Sequence, residues 1–130
     1  MLMPKKANGG NFQVSGGKLA VRLESDAATL VYAVCIWGPK PQFGGQRQKV
    51  WCTDTVTRKD GNGAVTVPDG MAMAGAQVTW SGGLIAQGEG QGRLLVTIEQ
   101  EGAETRSYAY EYNFGGKNDT VTFYDGLNFA

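Results

Sequence analysis

Hydrophobic and polar positions alternate with a period of two along most of the chain, the pattern of strands that bury one face. In residues 18–24, Leu19, Val21 and Leu23 alternate with Ala20, Arg22 and Glu24. Residues 29–37 (TLVYAVCIW) are apolar at both parities, which predicts a central strand covered on both sides. Residues 48–58 (QKVWCTDTVTR) are rich in β-branched and aromatic side chains and predict one strand. Further short strands are expected at 64–67, 76–80, 93–101, 105–114 and 120–124. Glycine-rich turn signals punctuate them: Asp60-Gly61-Asn62-Gly63, Asp69-Gly70, Ser81-Gly82-Gly83, the stretch 88–92, Gly115-Gly116 and Asp125-Gly126. A helix over 25–34, capped by Ser25, competes with this pattern, but the β-branched and aromatic content of 29–37 opposes it.

Many short strands at this spacing predict an all-β, single-domain antiparallel β-sandwich, immunoglobulin-like or jelly-roll-like, of about seven to nine strands. Residues 1–11 read as an N-terminal arm and 12–130 as the sandwich domain. The expected core is Leu19, Val21, Leu23, Leu30, Tyr32, Val34, Ile36, Val78, Trp80, Leu94, Val96 and Ile98. Neither the Cys–Trp–Cys spacing of immunoglobulin domains nor a cupin histidine set is present, so the fold class carries no function with it.

At 130 residues the chain is long enough to bury a core without obligatory staples. Twelve basic residues balance twelve acidic ones, which argues against nucleic acid as a partner. Lys5 and Lys6 alone are too few to carry phosphate affinity. No apolar run approaches the ~18 residues of a membrane helix, and no secretory signal pattern follows the first lysines. Synthesis in the cytoplasm is therefore expected, with membership of a virion or other released assembly left open.

Histidine is absent, which removes the commonest general base and transition-metal ligand. Glu99, Glu101, Glu104 and Glu111 have the spacing of a solvated strand edge rather than that of a catalytic carboxylate pair. Residues 59–63 lack the later acidic ligands of a calcium loop, and 88–92 lack the Gly-Lys-Ser/Thr ending of a phosphate cradle. The expectation is a non-enzyme with no cofactor and no metal site.

Cys35 and Cys52 fall directly opposite each other if their hairpin folds symmetrically about Phe43-Gly44. Two small apolar residues kept reduced in the cytosol is the expected state, and a cross-strand clamp formed after release is the alternative. Tyr108, Tyr110, Tyr112 and Phe114 share one strand face. An odd-numbered loop after residue 99 sets the tyrosines opposite Leu94, Val96 and Ile98 and makes them core. A two-residue loop would instead expose them as an aromatic platform suited to sugars.

These observations lead to the expectation of a structural or interaction subunit of a larger protein assembly, such as a virion, tail or surface component, and a homo-oligomer. Residues 1–11 and 119–130 are expected to cross between chains, with Lys5, Lys6, Asn11 and Phe129 touching the partner. The alternative is a carbohydrate-binding module using Tyr108, Tyr110 and Tyr112.

Overall fold

In a computed structural model that describes residues 6–130, the chain forms ten strands in two packed sheets. The strands are β1 (Gly10–Phe12), β2 (Leu19–Asp26), β3 (Ala28–Trp37), β4 (Lys49–Cys52), β5 (Val56–Arg58), β6 (Asn62–Thr66), β7 (Gln77–Ala86), β8 (Gly90–Gln100), β9 (Arg106–Phe114) and β10 (Thr120–Phe129). Sheet A has the order β1-β10-β7-β3-β4, with β5 also paired to β3, and sheet B has the order β6-β2-β8-β9. Every pairing is antiparallel except β1 on β10. The result is the expected all-β sandwich, with one strand more than the upper count.

All twelve expected core residues are buried, and Trp80, Tyr32, Leu84 and Leu127 are among the largest side chains fully inside. Residues 25–34 belong to strands rather than a helix. The chain leaves sheet B at Asp26, turns through Ala27 with φ 59°, and enters sheet A at Ala28. Burial of β-branched and aromatic side chains between two sheets outweighs the cap that Ser25 could supply; its hydroxyl donates to the carbonyls of Ala28 and Gly61 instead.

Five expectations need correction. Residues 48–58 form two strands, because the Val34 amide turns to the Thr53 hydroxyl and the Thr53 amide to the Val34 carbonyl, which interrupts the ladder. Ser81-Gly82-Gly83 and Asp125-Gly126 are not turns but the middles of β7 and β10. Gly82 lies between β3 and β10 with φ 154°, and a Cβ there would stand 1.9 Å from the Val31 carbonyl oxygen. Gly126 is similarly tight, with a Cβ position 2.7 Å from the Val78 carbonyl oxygen. Here glycine answers close backbone approach rather than a change of direction.

Residues 119–130, expected to reach a partner, belong to the domain's own sheet: Thr120–Phe129 is an interior strand of sheet A, held by β7 on one side and β1 on the other. Nor do residues 7–11 stand apart from the domain, since β1 spans the boundary at residue 12 and Ala7 is buried. Finally, β3 is covered on one side only. Its burial alternates strictly, with Leu30, Tyr32, Val34 and Ile36 inside and Thr29, Val31, Ala33, Cys35 and Trp37 half-exposed on the outer face.

Candidate interaction face

The two outer faces of the sandwich differ in chemistry, and register fixes which residues form each. On sheet B, Arg22, Glu24 and Asp26 of β2 point outward with Arg93 and Glu99 of β8 and Glu111 of β9. Arg22 Nε lies 3.3 Å from Glu99 Oε2, and Arg93 stands opposite both Asp26 and Glu111. This is an ordinary solvated face of alternating charge.

Sheet A presents Thr120, Thr122, Tyr124 and Asn128 from β10, then Gln77, Thr79, Ser81, Gly83 and Ile85 from β7. Thr29, Val31, Ala33, Cys35 and Trp37 follow from β3, with Thr57 of β5 beside Val31. None of these is ionisable at neutral pH. Charge sits at the margin: Lys49 of β4 places its Nζ 5.6 Å from the centre of the Trp37 ring, and the Arg47 guanidinium donates to Asn128 Oδ1 at 3.5 Å. Trp37 donates its indole N–H to the Thr79 hydroxyl at 2.8 Å, so the ring lies along the sheet rather than projecting from it. Small residues (Ala33, Ser81, Gly83) fill the centre, and Tyr124, 70% exposed, rises to one side.

Cys35 and Cys52 pair across β3 and β4 on this face and are joined by a disulfide with a Cα separation of 4.1 Å. The symmetric hairpin register is as expected; the reduced state is not, because the two side chains point to the same side of directly opposed residues. Phe43, 95% exposed, tops the loop between these strands and is followed by Gly44 and Gly45 with positive φ. Arg47 folds back from the loop, donating to the carbonyls of Gly38 at 2.8 Å and Gly75 at 2.7 Å.

The tyrosine row is mostly interior. Ile98 pairs with Arg106, leaving an odd number of residues, 99 to 105, in the turn, and Gly102 is left-handed. Tyr108 and Tyr110 therefore face the core with Val96 and Leu94, and the platform of Tyr108, Tyr110 and Tyr112 is not presented to solvent. Tyr108 stacks on Trp80 with ring centres 6.1 Å apart. Only Tyr112 reaches the surface, in a small cleft of about 220 Å³ that it shares with Lys6, Asn8 and Tyr124.

Beneath that cleft is a polar junction that sequence reading missed. Asp125 is buried, and the Tyr110 hydroxyl donates to its Oδ2 across the gap between the sheets at 2.5 Å. The Ala7 amide donates to Oδ2 at 2.8 Å, while Asn8 and Gly126 amides donate to Oδ1 at 2.7 and 2.8 Å. Both carboxylate oxygens are thus satisfied, and the junction straps residues 7–8 to β10. The Tyr110 phenol is pushed well above its ordinary range by burial first and then by its bond to the carboxylate, which would be lost on ionisation. The buried Trp80 indole N–H, otherwise without a partner, acts weakly in the opposite direction. Burial and the Asp125 charge also raise Tyr112; burial likewise raises Tyr108, with Arg106 opposing. The signal in the sequence was period-two: Asp125 shares parity with Val121, Phe123, Leu127 and Phe129, an acid on the inward face.

The other expected sites are scattered. Lys6 and Asn11 are exposed, Asn11 lying beside Asn128 at the β1 edge of sheet A. Phe129 is buried edge-to-face against Phe12, with centroids 6.3 Å apart, so it is closed to a partner. Lys5 lies outside the described residues. Glu99 and Glu111 stand on the face of sheet B, in adjacent strands but displaced by about six residues, or ~20 Å, along them. Glu101 and Glu104 occupy the β8–β9 turn. An open groove of about 640 Å³ runs between Val14, Leu19, Val67, Pro68 and Met73, with Lys18, Asp69 and Glu101 on its walls. Among the described residues no helix is long and apolar enough to cross a membrane. Compared with known protein families, curated proteins and solved structures, the chain has no significant match.

Proposed function

We propose that this protein is a non-enzymatic structural subunit of a larger protein assembly, of the virion, tail or surface-component kind, whose contacts form through the outer face of sheet A. The observation that carries this reading is the absence of charge across that face, set against the alternating charges of sheet B. Charge depletion with aromatic anchors marks the buried centre of interfaces, and a solvated antiparallel sheet is normally polar and charged on its free side. The residue pattern of β3, apolar at both parities, suits a strand covered twice, and one covering is supplied by sheet B. The Cys35–Cys52 bond is at home in an oxidising environment, which accords with an assembly released from the cytoplasm.

Size-exclusion chromatography with light scattering, from micromolar to millimolar concentration, tests the reading. Association that grows with concentration supports it. A strict monomer over the whole range, in the presence of the oxidised disulfide, contradicts it.

The cleft between Tyr112 and Tyr124 favours a second reading, carbohydrate binding, because two phenol rings there flank the exposed Lys6 and Asn8. Saturable glycan binding lost in Tyr124→Ala, with folding intact, would establish it.

A further inference from the structure

We infer that the occupant of the outer face of sheet A is a second copy of this chain, the two faces stacked about a two-fold axis. This rests on the assembly reading above and adds the identity and geometry of the contact. Charge is the first argument. A partner with a charged surface would leave those charges desolvated and unpaired against Ala33, Ser81 and Gly83. The surface on this molecule that matches an uncharged sheet is the same sheet, and a two-fold contact brings a patch against itself. The whole chain has a formal net charge of zero, so approaching copies meet no long-range repulsion.

Shape and area agree. Packed sheets lie ~10 Å apart with strands within about 30° of each other, which requires a flat centre. Small side chains supply it, and Trp37 is held flat by its bond to Thr79. β3, β7 and β10 each run ten residues, or ~33 Å, and with β4 and β5 the face is four strands, or ~19 Å, wide. That gives about 600 Å² per copy and about 1,200 Å² in all, at the lower bound for a specific interface. An axis lying across the strands sends Arg47 and Lys49 of the two copies to opposite ends, so that the cationic rims do not meet.

Hydroxyl-radical footprinting at low and high concentration, on the full oxidised chain and on Ser81→Lys, tests this. In the unaltered protein, oxidation of Tyr124 should fall at least threefold on association, while Phe43 and Tyr112 stay unchanged. Ser81→Lys should keep the strand-type circular dichroism, remain monomeric and show no protection of Tyr124. Association that protects Tyr112 or Phe43 and leaves Tyr124 reactive overturns the face assignment while sparing the assembly reading. Association unaffected by Ser81→Lys does the same. A protein monomeric at every concentration removes both.

Discussion

Sheets A and B enclose the same core and contribute to it alike, yet their outer faces diverge. Sheet B carries Arg22, Glu24, Asp26, Arg93, Glu99 and Glu111 outward, whereas the outward positions of β3, β7 and β10 carry no charge and Lys49 and Arg47 stand at the margin. Inside, β2 and β8 bury Leu19, Val21, Leu23, Leu94, Val96 and Ile98, and β3 and β7 bury Leu30, Val34, Ile36, Val78 and Trp80. The core therefore does not explain why one exterior is charged and the other is not. Solvent exposure suits a charged face, and the contact proposed above uses the uncharged one. The backbone follows suit: sheet A places Gly83 and Gly126 at outward positions of β7 and β10, where bare backbone keeps the surface flat.

The sharpest break in this comparison comes from Gly82→Ala. A methyl at 1.9 Å from the Val31 carbonyl oxygen, on a backbone with φ 154°, cannot be accommodated without parting β3 from β7. The expected loss exceeds ~4 kcal/mol and is read as failure to fold, or a large drop in the urea midpoint. Near-native stability would show that the centre of sheet A is not closed as described.

The joint between the sheets gives the next effect. Tyr110→Phe removes a hydrogen bond to a buried carboxylate and should cost about 1.5–3 kcal/mol at pH 7. Its pH dependence has a definite sign. The Tyr110 pKa is raised in the folded state, so the unfolded chain loses that proton first, near pH ~10, and stability falls as pH rises beyond that point. Urea titrations between pH 9 and 12 should show a steep decline in the unaltered protein and a shallower one in Tyr110→Phe. Equal slopes would deny Tyr110 its buried, carboxylate-bound state.

Much of this was legible in the residues. Alternation at Leu19, Val21 and Leu23 marked a strand because one buried face demands period two, and symmetric spacing about Phe43-Gly44 put Cys35 opposite Cys52. The residues leave the parity of the turn after residue 99 open, and the seven-residue turn that forms sets Tyr108 and Tyr110 in the core. Glycine was the source of error: at Gly82 and Gly126 it relieves backbone crowding between neighbouring strands, a tertiary demand with the same local signature as a turn. The Asp125 junction is hidden by the same ambiguity, because a turn at Asp125-Gly126 would leave the acid no inward parity. Partner contacts at Phe129 were misplaced because a terminal segment resembles a tail until a parallel strand such as β1 is seen to cover it.

The charged face of sheet B should respond least. Arg22 and Glu99 form an exposed pair, so Arg22→Ala is expected to change stability by under ~1 kcal/mol, and less in high salt. The central claim concerns where a new charge matters, and the most direct measurement is sedimentation equilibrium on two matched variants. Thr122→Glu places a carboxylate on the outer face of sheet A beside Gly83, and Ala64→Glu places one on sheet B opposite Arg22. The account predicts that Thr122→Glu weakens self-association at least tenfold at unchanged thermal stability while Ala64→Glu leaves it intact. Equal association in both variants, or loss in Ala64→Glu alone, would contradict it.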